Sequence, residues 1–246
     1  MTGSISVSSR RQFCSDNIGN FILTKVYHPG LLLARRAVSL LAATALTVGG
    51  NTMAFANPTN PSVQAGNVTI SQPSSKVLQI DQSSSKAIIN WQSFSIQSGE
   101  TTQFRVPTST DMTLNRVTGP SVSDIFGTLR SNGQLFLVNP HGIWFAPGSF
   151  VDVNSLVATT AGIANANFLA GRLRFDRATA ILGASVRNDG SISIAQQGFA
   201  ALVAPSVSNS GTIAARLGKV GLASGETFTL DPYGDGLFSF DVTADV

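Results

Sequence analysis

The chain has 246 residues, of which 43% are hydrophobic and only 12% charged, with a formal net charge of +3. That length carries one domain with a substantial core, and the sparse charge excludes the charged-apolar repeats of a long helical protein. The basic residues ahead of Asn57 (Arg10, Arg11, Lys25, Arg35, Arg36, against Asp16) leave the rest of the chain slightly acidic, which argues against nucleic acid as a partner of the folded part.

Residues 1–56 read as an extended signal peptide. Arg35-Arg36 precede an apolar run over residues 37–48, Gly49-Gly50 breaks it, and Ala54-Phe55-Ala56 puts small residues, Ala54 and Ala56, at the two positions a signal peptidase reads. Cleavage is expected after Ala56. The run is shorter than the ~20 apolar residues that span a bilayer, which argues against a retained anchor. Ser9-Arg10-Arg11-Gln12-Phe13 has the look of a twin-arginine motif, but Ser15, Asp16 and Asn17 stand where its apolar region should begin. The general secretion translocase and signal peptidase are therefore the expected partners of this segment. The residues ahead of the signal fit either a signal extension or a misassigned start. The single cysteine, Cys14, lies in the same presegment. A thiol-free mature chain suits threading unfolded through two membranes, and it equally suits ordinary scarcity of cysteine.

The mature part, residues 57–246, opens on two Asn-Pro pairs and is expected to enter extended. Short β-branched runs follow, bounded by Gly, Asn and Ser: Asn67-Val68-Thr69-Ile70, Lys86-Ala87-Ile88-Ile89-Asn90-Trp91, and Gln134-Leu135-Phe136-Leu137-Val138. The Ala-rich residues 157–170 have room for a helical turn or two. Further on, Val186-Arg187-Asn188-Asp189-Gly190-Ser191-Ile192 is echoed by Val207-Ser208-Asn209-Ser210-Gly211-Thr212-Ile213, and Gly198 with Leu202 by Gly218 with Leu222. A strand-turn unit of this period cannot bury its apolar face alone but can do so stacked on copies of itself. A parallel β-helix satisfies this, with Asn188 and Asn209 one coil apart as an internal asparagine ladder. An antiparallel sandwich of similar hairpins is the alternative, disfavoured by the lack of tight hairpin turns.

Several segments, in order, resemble the haemagglutination-activity domain that opens filamentous-haemagglutinin-like exoproteins of two-partner secretion systems. They are Ile89-Asn90-Trp91-Gln92-Ser93-Phe94-Ser95-Ile96, Leu114-Asn115-Arg116-Val117-Thr118-Gly119, Gly133-Gln134-Leu135-Phe136-Leu137-Val138-Asn139-Pro140-His141-Gly142-Ile143, Ala201-Leu202-Val203-Ala204-Pro205 and Leu230-Asp231-Pro232-Tyr233-Gly234-Asp235-Gly236-Leu237. The resemblance implies an all-β fold, a right-handed single-stranded parallel β-helix of the pectin-lyase-like kind with an N-terminal β cap. It implies a domain recognised in the periplasm by the POTRA domains of an outer-membrane β-barrel transporter. The exoprotein would then reach the cell surface or the medium, with host-cell surface ligands as further candidate partners. The family's Asn-Pro-Asn-Gly reads Asn139-Pro140-His141-Gly142 here, and its Asn-Pro-Asn-Leu is absent, with the Asn115 segment near its expected place.

Asn139-Pro140-His141-Gly142 has the layout of a type I turn: Asn bonds back to the backbone, Pro presets the second position, and Gly suits the fourth. It is expected to be an exposed turn of small weight in stability, serving to join two strands, to mark the domain for its transporter, or both. His141 has no second His and no Cys in the mature part, so it is not expected to hold a metal. In Arg172-Leu173-Arg174-Phe175-Asp176-Arg177 the alternation reads as a strand with one wet and one buried face. Asp231, Asp235 and Asp241 lack calcium-loop spacing. No nucleophile elbow, phosphate loop or His-based catalytic group is present, so the chain is not expected to be an enzyme or to need a cofactor. The functions left open are a secretion and adhesion module, the same module heading a cytolysin or contact-dependent toxin, and a polysaccharide-active β-helix enzyme. The strand-like alternation of residues 238–246 without a cap reads as a chain that continues into more coils or has been cut short.

Overall fold

The computed structural model describes residues 57–231. The expected cleavage pair Ala54 and Ala56, and the residues from 232 onward, lie outside the described residues.

Short strands with β-branched and aromatic side chains, punctuated by Gly, Asn and Ser, build a fold that is nearly all β. It begins with β1 (Ser62–Ala65), β2 (Val68–Ser74), β3 (Val77–Gln82) and β4 (Lys86–Trp91). β1 pairs antiparallel with β4, and β2 with β3 around Ser75-Lys76, one tight hairpin of the kind the sequence reading did not find. These antiparallel pairs form the N-terminal cap. The coils follow with β5 (Thr101–Arg105), β6 (Met112–Val117), β7 (Ser123–Ile125), β8 (Thr128–Val138), β9 (Ile143–Phe145) and β10 (Phe150–Thr159). A five-residue helix, α1 (Asn165–Leu169), and β11 (Leu173–Phe175) form an excursion from the coil. The coils resume with β12 (Ser185–Asn188), β13 (Ser191–Ile194), β14 (Phe199–Ala204), β15 (Ser206–Asn209), β16 (Thr212–Ala215) and β17 (Lys219–Ser224), and β18 (Phe228–Leu230) closes the described elements.

Pairing from coil to coil is parallel on three faces. The first runs β3, β5, the first half of β8, the first half of β10, β13 and β16. The second runs β4, β6, the second half of β8, the second half of β10, β14 and β17. The third runs β7, β9, β12 and β15. This is a β-helix of about seven turns behind an N-terminal β cap. The sequence echo is its register: Val186 pairs with Val207, Asn188 with Asn209, and Leu202 with Leu222. At the corner between the first two faces, Gly198 is required by close approach, because a Cβ there would collide with the Asn154 carbonyl of the coil before it.

Two cores result. Inside the coils lie Ile89, Trp91, Phe94, Phe104, Leu135, Leu137, Leu156 and Leu202. Each such side chain, fully removed from water, contributes about 1.5–3 kcal/mol. Outside the second face a separate cluster joins Ile88, Leu114, Phe136, Val157 and Ala201 to Phe168, Phe175 and Phe228. The second face is therefore buried on both sides, which explains the unbroken apolar run Leu135-Phe136-Leu137-Val138. The cover is the excursion itself. β11 pairs antiparallel with β18, Phe175 stacks on Phe228 at 4.5 Å, and Phe136 meets Phe168 edge-on at 5.4 Å. The alternation expected at residues 172–177 holds, with Leu173 and Phe175 buried and Arg174 exposed. The helical turn expected within residues 157–170 is α1.

Candidate functional site

β8 delivers the chain from the second face to Asn139, and β9 takes it up on the third. Between them the Gly142 N–H donates to the Asn139 carbonyl at 3.0 Å, and the His141 N–H donates to Asn139 Oδ1 at 2.9 Å. Asn139 thus bonds back to the backbone as its place in the turn suggests. Gly142 takes φ +113°, and a Cβ there would meet the Ser185 carbonyl at 2.8 Å, so both the backbone conformation and the next coil require glycine.

The turn is not the exposed feature expected. Asn139 is 0% exposed and Gly142 is buried, with Pro140 and His141 half-buried. The reason is that the Asn139 amide faces the preceding coil. Nδ2 donates to the Ser121 carbonyl at 3.0 Å and to Ser123 Oγ at 2.9 Å, while the Asn139 N–H donates forward to the Thr159 carbonyl at 3.0 Å. On the other side Thr179 Oγ1 donates to the Pro140 carbonyl at 2.7 Å, so the excursion latches the turn from outside. Pro140 and His141 keep the accessible part of the motif.

Asn188 and Asn209 do meet: Asn188 Nδ2 donates to Asn209 Oδ1 at 2.7 Å. Asn188 is fully buried, whereas Asn209 is exposed on the last described strand of that face. Among the described residues the ladder therefore has two rungs, of which one is internal, because Phe145 occupies the position on the preceding coil.

Sequence reasoning did not find the buried polar link between two motif segments. Trp91 Nε1 donates to Asn115 Oδ1 at 2.9 Å, and Asn115 Nδ2 reaches the Phe136 carbonyl at 3.4 Å. The signal available was an Asn in an otherwise apolar strand one coil from a Trp. Nearby, burial pushes the Asp124 carboxyl above the usual carboxylate range. Among the described residues no three His, Cys, Asp or Glu side chains converge on a common point.

Comparison with known proteins bears on this arrangement. The family model described as TPS secretion domain matches residues 52–237. A heme/hemopexin-binding protein of Haemophilus influenzae is 34% identical over 207 residues, which is 78% of this chain and 22% of the relative. The chain thus spans less than a quarter of that relative's length. Among solved structures, the HMW1 secretion domain from Haemophilus influenzae superposes with a TM-score of 0.69 at 30% identity, covering 76% of this chain and 49% of the other. A filamentous hemagglutinin secretion domain gives a TM-score of 0.49 at 17% identity, covering 77% and 69%.

Proposed function

The chain belongs to the TPS secretion domain family, the secretion domains of two-partner secretion exoproteins, and on that premise we propose that it directs export by being recognised in the periplasm by a cognate outer-membrane β-barrel transporter. The observation that carries the reading is the likeness to the HMW1 secretion domain, which extends over three quarters of the chain at 30% identity. The transporter's POTRA domains are the capturing partner. Pro140 and His141, the accessible half of the Asn139 turn, are the part of the motif that a partner can touch. Residues 1–56 act as the signal peptide for the general secretion translocase, with signal peptidase cutting after Ala56. No enzymatic role is assigned.

Folding of emerging coils supplies a physical drive for passage, since each stacked coil adds burial and hydrogen bonds. The exoprotein is read as an adhesin or other surface binding protein, at the cell surface or released, before a cytolysin or toxin. The observation favouring that order is that the relative matched over 78% of this chain is named for binding heme and hemopexin.

The test is export of the full chain in cells with and without the cognate transporter. Extracellular chain should accumulate only with the transporter, and the transporter-less cells should retain it in the periplasm. Equal extracellular amounts in both would overturn the reading.

A further inference from the structure

Where the excursion returns to the coil, the chain turns tightly, and the Ala184 N–H donates to the Ile181 carbonyl at 3.3 Å. Leu182 stands at the apex of this turn and is 100% exposed, the most of any large apolar side chain among the described residues. The turn is anchored. The Ile181 N–H donates to Thr179 Oγ1 at 3.1 Å, and the same hydroxyl donates to the Pro140 carbonyl at 2.7 Å. One threonine thus ties the Leu182 turn to the Asn139 turn.

Two more apolar side chains stand in water beside the motif. Ile181 is 40% exposed and lines the same depression as Pro140 and His141. Val122 is 41% exposed and lies between Ser121 and Ser123, the two residues that hold the Asn139 amide. Single exposed apolar residues are ordinary on a protein surface. Three of them tied through hydrogen bonds to one motif turn are a different matter, because grouped exposed apolar surface marks a place where something docks. The charge nearby has one sign: exposed Arg177 lines the depression, and no Asp or Glu does.

We propose that Leu182, with Ile181 and Val122 beside it, is the apolar anchor by which this domain docks on the periplasmic POTRA region of its transporter, in an apolar cleft with an acidic rim. The inference rests on the transporter reading and deepens it. Pro140 and His141 alone offer a small contact; the Leu182 turn enlarges it on the excursion side and Val122 on the side of the preceding coil. The anchor is held in place before the partner arrives, so little conformational freedom is lost on binding. The acidic rim answers Arg177.

The test titrates the full chain and its variants with the purified POTRA region of the cognate transporter, with the Tm and the oligomeric state of each variant measured alongside. Leu182→Ser should weaken binding by about tenfold or more, the worth of burying a leucine that was wholly in water. Its Tm should stay in place, because the side chain is fully exposed in the free domain. Leu182→Met keeps an apolar anchor of similar volume and should bind as the parent does. Leu217→Asn is the control, since Leu217 is 72% exposed on the last described coil, away from the motif turn; it should bind unchanged. A parent that binds while Leu182→Ser binds equally well would overturn this inference and leave the transporter reading standing. A parent that does not bind removes both. Equal weakening by Leu182→Ser and Leu217→Asn would also overturn it, as general stickiness. So would self-association of the chain that Leu182→Ser abolishes without changing POTRA affinity, which gives the anchor to a second copy.

Discussion

The Trp91 indole N–H donates to the Asn115 side-chain oxygen at 2.9 Å, with both residues wholly buried and one coil apart on the second face. This bond satisfies a polar group in each of two motif segments that lie apart in the chain, and it pins the stacking of β4 on β6. Asn115→Leu should leave the indole N–H unpaired in the core and lower stability by about 1–3 kcal/mol. The double change Trp91→Phe with Asn115→Leu removes both partners and should recover part of that loss. Urea midpoints of the parent and the two variants check this. A single variant as stable as the parent would mean that the bond contributes nothing.

Asn139→Ala should destabilise the fold by about 2–4 kcal/mol, because it strips a fully buried amide of its bonds to Ser121, Ser123 and His141. Pro140→Ala leaves those bonds, and the Thr179 latch to its carbonyl, in place. Its cost should stay near about 0.5–1 kcal/mol, the loss of a preset backbone angle. Thermal midpoints read beside secretion yields then separate the two roles of the turn. Pro140→Ala secreted poorly from a stable fold speaks for recognition, whereas loss confined to Asn139→Ala speaks for structure.

Asp124 gives the pH dependence a sign. Its folded carboxyl sits above the usual carboxylate range because burial disfavours the charge. The protonated form is thus favoured by folding. Its contribution is fully present below the unfolded pKa and is lost as pH rises through the folded one. Asp124→Asn, neutral throughout, should gain on the parent in Tm between pH 3 and pH 7. The gain is small because the side chain is only partly buried. A parent that gains on the variant over that interval would reverse the assignment.

The coil register was legible because stacked coils with equal turns force like residues into like positions, as Val186 over Val207 and Leu202 over Leu222 demonstrate. The run Leu135-Phe136-Leu137-Val138 carried a further signal: four successive apolar residues in a strand need two covered faces. What covers the outer face was not legible. Phe168, Phe175 and Phe228 come from elements whose local pattern says only amphipathic, and their packing on Phe136 is a tertiary event. The burial of Asn139 escaped for a related reason. Its tetrapeptide has the composition of a surface turn, and the partners that draw it inward, Ser121 and Ser123, are supplied by the previous coil. Nothing local announces Pro140 and Ile181 as neighbours either, since the excursion alone brings them together.

We proposed that this domain is what the transporter captures. Titration of the full chain with the purified periplasmic POTRA region of the cognate transporter tests it most directly. Saturable binding in a fixed stoichiometry is expected, weakened by substitutions at Pro140 and His141 that leave the thermal midpoint in place. A folded chain that does not bind at all would contradict it.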